Sequence, residues 1–162
     1  MRAKKMLEIE RKFLVKRLPW RLARFPHRRI EQGYLLARCD GFQVRLRKSG
    51  RIFQLTTKRN EGIARDEIEI ALTRAQFAQL WPATRGWRLT KIRYLVPLGA
   101  VTAEIDIYLG RHKGLVVVEV EFANVSACRQ FEPPDWFGAE VSGDPRYSNV
   151  RLAFENGPLA PR

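Results

Sequence analysis

The sequence predicts an α+β fold: a β-barrel with a charged interior, coated by helices. Three observations predict it. Seven segments alternate charged and apolar residues with the period of a strand. The charged parity carries acids and bases together, so it cannot face an apolar core. Segments with helical signals stand between the strands, available to cover the apolar parity. A lone strand of this kind reads as an edge with one solvated face. Seven of them, closed on themselves with the apolar side outward, make a wide barrel whose lumen is charged.

The first strand is Glu8-Ile9-Glu10-Arg11-Lys12-Phe13, flanked by Leu7 and Leu14-Val15, with Glu8, Glu10 and Lys12 on one side and Leu7, Ile9 and Phe13 on the other. Pro19 to Phe25 reads as a short amphipathic helix ended by Pro26, with Trp20 and Phe25 packing on the sheet. Arg28 to Arg38, containing Ile30-Glu31-Gln32-Gly33-Tyr34, predicts an eighth strand kinked at its glycine. A hairpin follows, Phe42–Lys48 and Ile52–Lys58 joined by Ser49-Gly50-Arg51, which places Arg45, Arg47 and Lys58. Lys58 to Gly62 reads as a polar loop. Glu67-Ile68-Glu69-Ile70 alternates again. Thr73 then caps a helix over Arg74–Trp81, whose Phe77, Leu80 and Trp81 share a face and which Pro82 closes. Lys91-Ile92-Arg93-Tyr94, Glu104-Ile105-Asp106-Ile107 and Val118-Glu119-Val120-Glu121-Phe122 complete the set. Ser126 to Phe131 predicts a short helix before Pro133-Pro134, Asp144 to Asn149 a turn, Val150 to Phe154 a last helical turn, and 155–162 a flexible tail.

The 162-residue chain, 45% hydrophobic, suits a single domain over 1–162 with a sizeable core. No run approaches the roughly 18 apolar residues of a membrane span, and no membrane partner is expected. Arg2, Lys4 and Lys5 lead directly to Glu8 and Glu10 without the apolar stretch of a secretion signal, so the cytoplasm is the expected location. Cys39 and Cys128 lack disulfide or zinc spacing, and His27 and His112 read as surface residues. A net charge of +13 asks for anionic partners. On the inward parity, however, the acids outnumber the bases. The basic excess therefore lies outside the lumen, where it can steer polyanions or bind polyphosphate or nucleic acid.

A lumen of mixed charge would strand every charge around a lipophilic ligand. It suits a polyanion bound together with divalent cations: lysine and arginine contact phosphate oxygens, and carboxylates hold magnesium or manganese. Glu8 and Glu10 on one strand, with Glu119 and Glu121 on another, form a candidate hard-oxygen metal site. The competing reading is that the charges pair for structure alone. It is the weaker, because buried ion pairs rarely offset their desolvation.

Glu8-Ile9-Glu10-Arg11-Lys12 resembles the E-x-E-x-K signature of the CYTH superfamily, the triphosphate tunnel metalloenzymes, and in particular their compact bacterial inorganic triphosphatases. Gln32-Gly33-Tyr34-Leu35, Val44-Arg45-Leu46-Arg47, Lys58, Glu67-x-Glu69, Lys91-x-Arg93-Tyr94, Glu104-x-Asp106, Glu119-Val120-Glu121-Phe122 and Arg146-Tyr147-Ser148-Asn149 resemble its later motifs in order, from about Leu7 to Leu152. The resemblance implies an eight-stranded antiparallel tunnel binding triphosphate with Mg2+ or Mn2+. It implies that Glu8, Glu10, Glu119 and Glu121 coordinate the metal, that Glu67, Glu69, Glu104 and Asp106 hold a second ion or orient water, and that Lys12, Arg45, Arg47, Lys58, Lys91 and Arg93 grip phosphates. Lys12 and Tyr34 resemble a pair assisting the attacking water. Lys12 can serve as a base only if neighbouring cations depress its pKa. Little chain follows Asn149 to plug one end, so the expectation is a tunnel or an open cup. The implied activity is hydrolysis of inorganic triphosphate to diphosphate and phosphate. Alternatives are a thiamine or nucleoside triphosphatase, a class IV adenylate cyclase, or a noncatalytic polyphosphate or RNA binding module. Trp20, Trp81, Trp87 and Trp136 are available to an organic substrate, though each reads first as a packing residue.

Overall fold

The structure, a computed structural model, describes residues 4–7, 9–61 and 64–154, with side chains over 9–59 and 67–154. Glu8 and the expected tail 155–162 lie outside the described residues. Ten antiparallel strands form one sheet: β1 (Lys4–Leu7), β2 (Ile9–Val15), β3 (His27–Ala37), β4 (Gln43–Ser49), β5 (Ile52–Glu61), β6 (Ala64–Leu72), β7 (Arg88–Leu98), β8 (Val101–Tyr108), β9 (Val116–Phe122) and β10 (Phe137–Glu140). Their order is β1-β6-β5-β4-β3-β7-β8-β9-β2-β10. All eight expected strands are present. The first is divided at residue 8: β1 pairs with β6 while β2 pairs with β9. Consecutive chain segments thus draw the two flanks of the ladder together and the sheet curls into a cup. It is not closed, because among the described residues β2 carries β10, not β6, on its other edge.

Alternation sorts the side chains as the period of two requires. The outer parity of β2 and β7–β9 buries Phe13, Val96, Ala103, Ile105, Val118, Val120 and Phe122. Leu22, Phe25, Phe131, Trp136 and Phe137 cover that face, together with α2 (Val125–Gln130), which Asn124 caps. On the far flank lies α1 (Arg74–Leu80). Thr73 and Gln76 cap it reciprocally, which satisfies two of its orphan donors. A second core sits at one end of the inner parity, where Tyr34, Leu89, Tyr108 and Val117 meet Tyr147 and the buried Leu152 and Ala153 of α3 (Asn149–Phe154). Six residues of helix are enough to floor the cup.

Four local expectations change. Pro19 to Phe25 forms only a 3-10 turn at Leu22–Arg24, since Pro19 and the left-handed Arg21 (φ 57°) break the helical run. Leu22 is the buried anchor, and Trp20 is 78% exposed. Lys58 to Glu61 is strand and not loop, because its polar residues pair with the equally polar start of β6. Gly33 is required for a close approach: a Cβ there would lie 2.6 Å from Cβ of Thr84, and the bulge falls beyond it, between Tyr34 and Leu36. His112 is buried, with Nε2 2.6 Å from the carbonyl of Leu152.

Candidate active site in the lumen

Cross-strand register brings the inward charges of β2, β9, β8 and β7 into one network. Lys12 stands opposite Glu119, with Nζ 2.8 Å from Oε1, and donates to the Tyr147 carbonyl at 3.1 Å. Arg93 stands opposite Asp106 and forks onto it, Nε to Oδ1 at 2.7 Å and Nη2 to Oδ2 at 2.6 Å. The same guanidinium reaches Glu119 at 2.6 Å and the Glu104 carboxylate. Lys91, fully buried, donates to Asp106 at 2.5 Å and to Asn149 Oδ1 at 3.2 Å. Tyr108 donates to the same Asn149 oxygen at 2.6 Å, tying α3 to the network.

The wall of β3–β6 is less neutral. Lys58 pairs with Glu67 at 2.8 Å, and Arg45 holds Thr56 at 3.3 Å and Glu67 at 3.6 Å. Gln54 takes up Glu69 at 2.5 Å. Arg47 has no carboxylate partner among the described residues, and its buried Nε lacks a hydrogen-bond acceptor. Gln32, which donates to the Tyr34 hydroxyl at 3.2 Å, has a buried amide oxygen without a donor. Orphaned buried polar groups of both kinds are costly, and they mark a surface made for a ligand.

Burial and neighbours set the charges. Burial pushes Arg47 down to about 10, helped by Arg45 and Arg93. Burial also outweighs Asp106 at Lys91, and with Arg93 and Arg47 adding to it the ammonium falls to about 8. At Lys12 burial acts the same way, but Glu119, Glu10 and Asp106 more than offset it, so its pKa lies above the ordinary lysine value. The depression that would make Lys12 a base is therefore not found. Burial raises Glu119 and Asp106, yet Lys12 and Arg93 hold the first well below the usual carboxylate range, and Arg93 and Lys91 lower the second. Burial raises the Tyr34 phenol against the pull of Arg45, Arg47 and Lys12, so it stays protonated and keeps a proton to donate while it accepts from Gln32.

The lumen thus gathers the expected Lys12, Tyr34, Arg45, Arg47, Lys58, Lys91, Arg93, Glu104, Asp106 and Glu119. Glu10 and Glu121 are direct cross-strand partners on β2 and β9, a placement in which like charges repel unless a cation joins them. Their hard oxygens fit a divalent ion, as would Glu119 beside them. Among the described residues no three Asp, Glu, His or Cys side chains are placed together to hold a metal ion, and Glu119 is drawn to Lys12 and Arg93. Glu67 and Glu69 lie on β6 with partners of their own, away from the Arg93 network that holds Glu104 and Asp106. Sequence reasoning on charge alone overlooked Gln32, Gln54, Thr56 and Tyr108, and gave no role to Asn149. The inward parity, which the first four share with the charges, was the signal that could have found them.

A cup of strands whose inner face presents paired carboxylates to one side and an uncompensated arginine to the other defines a polyanion-binding tunnel protein. The sequence profile of the CYTH domain matches residues 6–140, and the chain belongs to that family. It is 44% identical over 152 residues to an inorganic triphosphatase of Nitrosomonas europaea, covering 92% of this chain and 98% of the relative. An inorganic triphosphatase of Acetivibrio thermocellus is 44% identical over 64 residues, 40% of each chain. A solved inorganic triphosphatase superposes with TM-score 0.71 at 40% identity, over 93% of this chain and 96% of that one. A putative adenylate cyclase from Bacillus halodurans, at 16% identity and TM-score 0.61 over 98% and 96%, shares the fold alone.

Proposed function

We propose that this protein is a metal-dependent triphosphatase that cleaves inorganic triphosphate to diphosphate and phosphate in the lumen. The observation that carries the reading is Arg47, a half-buried cation beside Arg45 whose buried Nε has no acceptor and which has no carboxylate of its own among the described residues. Support comes from the near full-length identity to a protein named for that reaction. The chain's own residues divide the work. Arg45, Arg47 and Lys58 hold phosphate oxygens from one wall, and Lys12, Lys91 and Arg93 from the other. Glu10, Glu119, Glu121 and Glu8 would hold a magnesium or manganese ion, with Glu119 freed for it where substrate oxygens take its place on Lys12 and Arg93. Such an ion supplies Lewis acidity to the phosphate oxygens. Glu67, Glu69, Glu104 and Asp106 orient water or hold a second ion, and Tyr34 donates to water or phosphate. Water forms a new bond to the terminal phosphorus, the bond to the bridging oxygen breaks, and one water proton leaves with the phosphate or to solvent. Catalysis is positioning and electrostatics, as phosphoryl transfer requires.

The test is phosphate release from inorganic triphosphate, ATP and thiamine triphosphate, with and without magnesium or manganese, for wild type and Glu10→Ala. The expected result is fast metal-dependent turnover of inorganic triphosphate, reduced by a factor of about 100 or more in the variant. Metal-free turnover, or full activity in Glu10→Ala, would overturn the assignment.

A further inference from the structure

The connection from β2 to β3 carries charge that the lumen does not use. Between Lys16 and Arg29 stand six cationic residues, five of them arginine, and no Asp or Glu. All six are exposed. Arg17 meets Asp135 at 2.5 Å and Arg29 meets Glu31 at 3.7 Å, while Lys16, Arg21, Arg24 and Arg28 make no ion pair among the described residues. Leu22 and Phe25 anchor the segment on the outer core, and the left-handed Arg21 turns the chain so that Trp20 stands 78% exposed beside Leu18 at 47%. The Arg21 guanidinium lies 3.8 Å over the Trp20 ring, backing one face. The track runs into the start of β3, where Arg28 is in register with Arg93 of the lumen wall.

We propose that this segment is a docking surface for single-stranded nucleic acid. Arginine forks match phosphate oxygens, and a tryptophan backed by a guanidinium offers a stacking platform to an unpaired base. A duplex would keep its bases from Trp20, and the 3-10 turn is too short to read a groove. A lipid surface is disfavoured because Leu18 and Trp20 are the only large apolar side chains exposed on the segment and no amphipathic helix presents them.

The experiment is fluorescence anisotropy of a labelled oligothymidylate titrated with the full chain, without divalent metal. Variants are Trp20→Ala and the double substitution Arg21→Gln/Arg24→Gln, with circular dichroism confirming the fold. Saturable binding is expected at low salt. The double variant weakens it about tenfold or more and flattens the log–log salt dependence by roughly 1.4, two contacts at about 0.7 each. Trp20→Ala weakens it about fivefold or more. Absence of saturable binding, binding undiminished in both variants, or stronger binding to phosphatidylserine vesicles than to the oligonucleotide would each overturn the proposal. None of these outcomes depends on the triphosphatase reading.

Discussion

Lys12 and Lys91 sit on the same inner face and are pushed in opposite directions, with consequences of opposite sign. Lys12 is raised, so the stability it contributes is complete below the unfolded value of 10.5 and is lost only as pH climbs through its higher folded value. Glu119 and Asp106 are lowered, so theirs is present above the ordinary carboxylate range and lost as acid takes the pH through their depressed values. Lys91, lowered to about 8, is the reverse case. Between 8 and 10.5 the unfolded chain binds more protons and stability rises with pH. At neutral pH its burial costs about 3 kcal/mol relative to an unperturbed lysine. Replacement by an apolar side chain should relieve that cost, since Arg93 keeps both oxygens of Asp106 occupied. Lys91→Met is therefore expected to melt no lower than wild type at pH 7 while losing activity on inorganic triphosphate by a factor of about 100 or more. A lower melting temperature with activity intact would make Lys91 a structural residue.

Among the elements, α3 has the least chain and a disproportionate effect. Arg111 Nη2 donates to the carbonyls of Leu152, at 3.0 Å, and Ala153, and Arg88 offers the same group its carbonyl at 3.1 Å. With His112 they fasten the helix end while Asn149 at its start holds Lys91 and Tyr108. Leu152→Ala should open a cavity in the floor, costing about 2–5 kcal/mol by denaturant unfolding, and should raise KM for inorganic triphosphate through the loosened Lys91. A loss of stability with unchanged KM would separate the floor from the site. The expectation of an open cup stands, since the sheet does not close; Val150 to Phe154, expected as a last helical turn, belongs to a six-residue helix whose burial as a floor nothing local marks, and Arg111 and His112 supply that context from the connection between β8 and β9. The strands were legible for the opposite reason. Glu67-x-Glu69 or Glu104-x-Asp106 announces its parity by itself, and register then brings the charges together without further information. Trp20 was misread because a large apolar residue defaults to the core, and only the left-handed backbone at Arg21 reveals that it faces out. Lys12 as a base was legible only as a condition, which depended on Glu119 lying 2.8 Å away.

The whole molecule keeps its lumen charges satisfied by pairing most of them with one another, and a ligand must displace those pairs. On the proposed reading, binding would be an exchange of partners, in which phosphate oxygens would take the cations and a divalent ion the carboxylates that the cations release. Neither half of the exchange is complete alone: phosphate without metal crowds anions beside Glu10, Glu119 and Glu121, and metal without phosphate leaves Arg47 unmatched. Thermal melts should therefore show synergy. Tripolyphosphate with calcium or another divalent ion that supports binding without turnover, at about 100 times its dissociation constant, should stabilise by about 2.7 kcal/mol. For a chain of this length that corresponds to a rise in Tm of roughly 5–10 °C. Tripolyphosphate in EDTA, or the metal by itself, should give much less than half of that rise, and Glu10→Ala should reduce the combined effect towards that of tripolyphosphate alone. Equal stabilisation with and without metal would mean that the cationic wall binds phosphate unaided and that the carboxylates of β2 and β9 hold no ion, which would leave the lumen a phosphate-binding cup without the metal half of its chemistry.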